Sequence, residues 1–168
     1  MNNRCKKGNR KKKNISLIRA CRNHRAIGKS PEPKGKTETT GNMPIYIIQK
    51  HAARRLHYDL RLEMGGVLKS WAIPKEPPTV PGIKRLAVQV EDHSIDYATF
   101  EGVIPEGAYG AGTVEIWDSG NFQPIEVEEN KIVLSINGKR LKGTFCLVRT
   151  KFQGSDKNWL FFKIKSKR

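Results

Sequence analysis

The chain has 168 residues and 19.0 kDa, with 32 Lys and Arg against 16 Asp and Glu, a formal net charge of +16 and a pI near 10.0. That length suits one domain with an appendage and is enough to bury a core, while the charge points to a polyanionic partner. Cys5, Cys21 and Cys146 are scattered without CxxC spacing, which speaks against a disulfide scaffold or zinc knuckle, and no apolar run reaches the length of a membrane span.

The cysteines therefore read as free thiols of a reducing compartment, and the basic start lacks the apolar stretch of a signal peptide. A soluble cytoplasmic monomer with no membrane partner is expected. Residues 1–42 hold 13 Lys and Arg against 2 Glu, a net +11, leaving +5 for residues 43–168. The run Lys6, Lys7, Arg10, Lys11, Lys12, Lys13 has almost no apolar companions. It is expected to be disordered when free and to be drawn to nucleic-acid phosphates. Residues 15–26 have the pattern of a short basic helix, and 28–41, rich in Gly, Pro, Lys and Thr, that of an irregular arm. The expected division is a basic, partly disordered arm over 1–42 and a domain over 43–168.

After Met43 the signals are β. Strands are predicted over 45–50, 56–63, 67–73, 85–91, 112–118, 131–136, 143–149 and 159–165. Gly65-Gly66 and Asn137-Gly138 have the chemistry of two-residue hairpin turns, and Asp118-Ser119-Gly120-Asn121 that of a third turn. Many short strands with little helix predict an all-β, mostly antiparallel fold, a compact closed barrel of about eight strands in which closure removes exposed edges.

From Leu56 to Glu63 apolar and polar residues alternate strictly, so His57, Asp59, Arg61 and Glu63 share one face. His57 and Asp59 then lie within reach of one ion, Arg61 one step further can pair with an anion beside it, and His51 arrives from the preceding segment. Two imidazoles and a carboxylate suit Mn, Zn or Fe(II), and only three protein ligands leave positions open, as in catalytic metal sites. An amphipathic strand with its polar face in water shows the same pattern. Downstream, Lys75, Arg85, His93 and Tyr97 join Arg61 in supplying the cations and proton donor that phosphoryl transfer needs. The glycine-rich stretch 101–112 matches neither the P-loop nor the dinucleotide pattern and reads as a tight rim loop. Two other classes stay open on these residues. One is an Fe(II) oxygenase with a His57-x-Asp59 and His93 triad; the other is a non-catalytic basic nucleic-acid-binding module.

Four stretches together, QKHAARRLHYDLRLE, LKSWAIPK, KRLAVQVEDHSIDYATFEG and IPEGAYGAGTVEIWDSG, resemble the 3'-phosphoesterase module of bacterial DNA ligase D and its stand-alone relatives. The resemblance covers residues 25–165 and keeps the family's motif order. It implies a β-barrel with a polar crescent groove and a Mn-dependent enzyme, Co or Zn being tolerated. Such enzymes heal 3' ends of DNA or DNA/RNA primer-templates in end-joining repair. They trim a terminal ribonucleoside to leave a 3'-phosphate and hydrolyse that to a 3'-hydroxyl, in company with a ligase, a polymerase and a Ku-like end-binding protein. Carried over by position, the metal ligands are His51, His57 and Asp59. Arg61 and His93 hold the scissile phosphate, Lys75, Arg85 and Gln49 support it, and Tyr97 orients His93 or the phosphate. In the N-terminal arm Arg25 and Glu32 match the family pattern, but Ala26 stands where the family has an acidic residue linked to nucleoside removal. Phosphomonoesterase activity is therefore expected to survive better than ribonucleoside trimming.

Overall fold

The computed structural model describes residues 43–151 and 154–165. The expectations for the arm over 1–42, including the helix over 15–26, Arg25, Ala26 and Glu32, lie outside the described residues. Among the described residues nine strands run β1 (Ile45–Ala52), β2 (Leu56–Met64), β3 (Val67–Ile73), β4 (Lys84–Gln89), β5 (Gly102–Ile104), β6 (Gly112–Glu128), β7 (Lys131–Gly138), β8 (Lys142–Arg149) and β9 (Asn158–Lys163), with a 3-10 helix over Ile95–Thr99. The order across the sheet is β1-β2-β3-β4-β9-β8-β7-β6, and β6 pairs back onto β1. Eight antiparallel strands thus close a barrel, as expected, and β5 adds three residues to the free edge of β6.

The period-two pattern of each strand decides what the two faces of the wall hold. Tyr46 and Ile48 of β1 and Tyr58, Leu60 and Leu62 of β2 point inward, where they pack with Trp71, Phe122, Leu134, Phe145 and Phe161. Each such side chain contributes roughly 1.5–3 kcal/mol by leaving water. The intervening residues face outward. There Ile47 and Leu68 form a second, smaller cluster with Tyr97 and Ala98 of the 3-10 helix, joined by Ile116 and Phe100. The segment from β4 to β6 therefore straps across the outside of β1, β2 and β3. The barrel interior is apolar apart from Asp118 and the Tyr46 hydroxyl, and whatever chemistry β1 and β2 carry on their outer face lies between the barrel wall and this strap.

Two turn expectations are corrected. Asp118-Ser119-Gly120-Asn121 is not a turn, because β6 runs through it while pairing with β1. A one-residue bulge lies just before it, with Gln49 opposite Ile116 and Ile48 opposite Asp118. Since an extra residue flips the facing of all that follow, Asp118 turns inward instead of outward. Asn137-Gly138 is the end of β7, and the chain reverses at Lys139 and Arg140. Asp118 stabilises that reversal by accepting the backbone N–H groups of Lys139 (3.1 Å), Arg140 (3.0 Å) and Leu141 (2.8 Å) as well as the Tyr46 hydroxyl (2.6 Å). Gly138 is needed for space: a Cβ there would collide with the Tyr46 hydroxyl and sit 2.8 Å from the Asp118 carboxylate. Gly65 and Gly66, with φ of 63° and 79°, do form the expected hairpin turn between β2 and β3.

Candidate metal and phosphate site

Antiparallel pairing of β1 with β2 sets His51 opposite His57 and Gln49 opposite Asp59. The two imidazoles stand 4.7 Å apart at their centroids. His51 Nδ1 lies 3.6 Å from one Asp59 oxygen and His57 Nε2 3.7 Å from the other. Among the described residues this trio is a group able to hold a metal, its ligand atoms all within 4.8 Å of one another. That is near the span of a shell whose ligands stand about 2.1 Å from a common centre.

The tautomers fit as well. His51 Nε2–H donates to the Gly110 carbonyl at 2.8 Å and His57 Nδ1–H to the Arg55 carbonyl at 2.9 Å. The nitrogen left unprotonated on each ring is the one nearest Asp59, the arrangement by which an outer carbonyl prepares a histidine ligand. Burial pushes the Asp59 carboxyl pKa up, but the contact with His51 and the positive charge of Arg61 outweigh it and hold the group below its ordinary value. The carboxyl is an anion, and the residues present fit a divalent cation.

Beside the trio, Arg61 is only 3% exposed and is fixed on several sides. Its Nε donates to Gln49 Oε1 (2.7 Å), one terminal nitrogen to Ser70 Oγ (2.9 Å) and the other to Asp59 Oδ2 (3.3 Å), while its guanidinium lies 4.6 Å from the Tyr97 ring centroid. Gln49 is oriented in turn by donating to the carbonyls of Tyr97 and Phe100 (3.2 and 2.9 Å). His93 reaches the same wall through a backbone bridge to Leu68 on β3. Its Nδ1 is 3.0 Å from the Glu91 carbonyl and 3.3 Å from Ser70 Oγ, and its ring is 5.1 Å from that of Tyr97. Burial, followed by the Arg61 charge, pushes the His93 pKa below its ordinary value.

His51, His57, Asp59, Arg61, His93 and Tyr97 line one cavity of about 290 Å³, with Glu91 and Tyr109 also on its walls. Three of the sequence-derived residues are not on that lining. Gln49 is buried behind Arg61, Arg85 donates to the Glu76 carbonyl (2.9 Å), and Lys75 is exposed. The triad combining His57, Asp59 and His93 is not what the fold assembles, since His51 completes the ligand group and His93 stands outside it. Ser70 and Glu91 escaped sequence reasoning. Ser70 had a signal, as it shares the outward face of β3 with Leu68 and Ala72, but a serine between apolar residues has no chemistry of its own to mark it. Among the described residues no helix is long and apolar enough to cross a membrane.

The sequence profile of the DNA ligase D 3'-phosphoesterase domain matches residues 49–149. The chain is 46% identical over 149 residues to the multifunctional non-homologous end joining protein LigD of Pseudomonas aeruginosa, covering 84% of this chain and 18% of that protein. It is 43% identical over 159 residues to the LigD of Mycolicibacterium smegmatis (88% and 20%) and 41% identical over 152 residues to that of Mycobacterium bovis (88% and 20%). The chain thus spans about a fifth of the length of these relatives. The matched region covers more than half of the chain and contains the ligand trio, Arg61, Ser70 and His93, so the chain belongs to the DNA ligase D 3'-phosphoesterase domain family.

Proposed function

We propose that this chain is a metal-dependent phosphoesterase that heals DNA 3' ends, removing a 3'-phosphate or a 3'-terminal ribonucleoside to leave a 3'-hydroxyl for end-joining repair. The observation that carries this reading is one cavity lined by both a three-ligand metal group and a cationic wall of Arg61 beside His93. Manganese is the proposed ion, with cobalt and zinc compatible with two imidazoles and one carboxylate. Bound there, such an ion supplies Lewis acidity and fixed positive charge next to the phosphate. His51, His57 and Asp59 hold it.

Arg61 gives the phosphate a permanent positive charge inside a largely dry wall, where it acts more strongly than in water. Because Asp59, Gln49 and Ser70 already orient the guanidinium, little reorganisation accompanies the reaction. His93 is neutral when free, its depressed pKa following from burial and from Arg61. An incoming phosphate anion offsets the Arg61 charge and draws a proton onto His93 Nε2, making it a second donor to the phosphate. Attack of water on phosphorus then breaks the bond to the leaving oxygen, the 3' oxygen of the strand in a 3'-phosphate or the 5' oxygen of a departing ribonucleoside. That oxygen takes up a proton, for which protonated His93 is the proposed source, and the proton lost by the water passes to the released phosphate or to solvent. Tyr97 holds His93 and Arg61 in register, and Gln49 acts through Arg61. Lys75 and Arg85 are proposed to meet the polynucleotide further from the cavity. The DNA end is the proposed partner, and a ligase, a polymerase and a Ku-like protein are proposed companions. The multifunctional, end-joining designation of the relatives supports this setting.

The test is incubation of the chain with a 5'-labelled primer-template ending in a 3'-phosphate or a 3'-ribonucleotide across a set of divalent metals. The expected result is conversion of the 3'-phosphate to a 3'-hydroxyl, fastest with manganese, with slower loss of the ribonucleoside because Ala26 replaces the acidic residue. Equal rates on both ends would sink the proposal for Ala26, and no metal-dependent product from either would sink the enzyme reading.

A further inference from the structure

Tyr109 is 83% exposed, the most exposed large apolar side chain among the described residues. A lone exposed aromatic on a loose surface needs no explanation, but this one is held against the metal-ligand end of the cavity. The next residue, Gly110, accepts the His51 ring N–H at 2.8 Å. Ala108 N–H donates to the Pro105 carbonyl and Ala111 N–H to the Ala108 carbonyl, each at 3.2 Å. Two residues further, a Cβ on Gly112 would collide with the backbone of Ala52 and stand 2.8 Å from the Ala53 Cα, so the strap closes directly onto the end of β1. The backbone after Tyr109 is thus pinned to the residues around His51, and Ala108 before it is tied into the loop by that loop's own hydrogen bonds.

The ring borders two spaces. One is the cavity that holds His51, Asp59 and His93; the other is the adjoining groove, which it shares with Arg54, Ala53 and Glu106. Among the described residues no ring or cation engages it. At about 290 Å³ the cavity is at the small end for a bound organic ligand. It has room for a phosphate and part of a sugar, and the attached base must lie at the mouth, where Tyr109 stands.

We propose that Tyr109 is the stacking platform for the nucleobase of the 3'-terminal nucleotide whose phosphate enters the cavity, with Arg54 alongside to meet the strand's backbone. This rests on the phosphoesterase reading and assigns to that site the feature that selects a nucleic-acid end over other phosphate esters. Stacking on an aromatic face tolerates every base, since each has a π-face. The platform therefore recognises a nucleotide without reading sequence, as healing of arbitrary ends requires.

The experiment compares hydrolysis of two 3'-phosphorylated primers that differ only at the last residue, one carrying a base and the other an abasic tetrahydrofuran. Tyr109→Leu is expected to raise KM for the base-bearing primer about 5- to 150-fold, with kcat little changed. It should leave the abasic primer within about 2-fold of the wild type, and Tyr109→Phe should behave as wild type on both. An equal rise on both primers, or a rise on neither, overturns the proposal. Failure of the wild type to hydrolyse either primer would sink the phosphoesterase reading instead. Stacking is then read independently of turnover from 2-aminopurine at the terminal position. Its fluorescence should be quenched in complexes with wild type and Tyr109→Phe but not Tyr109→Leu. Unquenched fluorescence in a wild-type complex whose formation is confirmed by anisotropy overturns the platform on its own.

Discussion

A serine hydroxyl has one proton to give and two lone pairs to receive, and at Ser70 all three are used. The hydroxyl donates to the Leu68 carbonyl at 3.0 Å and accepts from Arg61 at 2.9 Å, and it faces His93 Nδ1 at 3.3 Å. One fully buried side chain thereby couples the two groups proposed to hold the phosphate. Ser70→Ala takes the acceptor away from a terminal nitrogen of Arg61 and one of two contacts from His93 Nδ1, which keeps the Glu91 carbonyl, a loss of about 1–3 kcal/mol. Hydrolysis of a 3'-phosphate should fall by about 10-fold or more, and a rate within error of wild type would contradict the coupling. The pH behaviour follows from neighbouring residues. His93 has a native pKa below its ordinary 6.5, so between 6.5 and that lower value the unfolded chain binds the proton first. Stability is unaffected by this group above 6.5 and falls as the pH drops through that window. Asp59 acts at more acid pH: its native pKa lies below 3.8, so its contribution is full above 3.8 and is lost as the pH falls through the native value. Urea unfolding of His93→Gln should lack the first decline, and an unchanged pH profile would contradict the His93 assignment. In the sequence the grouping of His57 with Asp59 was legible because alternation puts them on one face, and His51 was placed by its nearness in the preceding segment. Ser70 was not, because its importance comes from the strand opposite it.

At the scale of elements, β6 carried the least legible information. Asp, Ser, Gly and Asn in a row are turn formers by local chemistry, yet pairing with β1 keeps them extended and a bulge swings Asp118 into the barrel. Local propensity lost to tertiary context, as happens where a polar residue has several partners waiting. Four groups donate to that carboxylate. Asp118→Ala should therefore destabilise the fold by about 2–4 kcal/mol, seen as a lower urea midpoint with an unchanged slope. A loss below about 0.5 kcal/mol, the range of an ordinary surface substitution, would contradict the role given to it. The short strand β5 and the 3-10 helix were equally hidden. The helix is held by the second apolar cluster on the outside of the barrel and β5 by its pairing with β6, relations that no local pattern announces.

For the whole molecule, β-rich patterning and turn spacing predicted a closed antiparallel barrel, and strands β1, β2, β3, β7 and β8 lie close to where alternation put them. The position of the site did not follow from patterning. A polar strand face reads as solvent-facing, but here Asp59 and Arg61 are buried because the strap from β4 to β6 covers them. Charge is the other property at this scale. With +11 in residues 1–42 and +5 in the rest, primer-template affinity of the full chain should weaken more steeply with salt than that of residues 43–168. The log–log slope should differ by roughly several units, near 0.9 for each phosphate that the arm neutralises. Identical slopes would leave the arm without a part in DNA binding.

Whether His51, His57 and Asp59 hold an ion that makes the Arg61–His93 wall a phosphoesterase site is decided with one substrate and two proteins. Wild type and Asp59→Asn are stripped with chelator, then titrated with manganese while release of phosphate from a 3'-phosphorylated primer-template is followed. The stripped wild type should be silent and should yield a 3'-hydroxyl product once manganese is added. Asp59→Asn should be slower by at least about 100-fold, beyond the usual effect of altering a ligand's outer partner. Full-rate turnover by the stripped wild type, or by Asp59→Asn with manganese, would contradict the assignment of the trio.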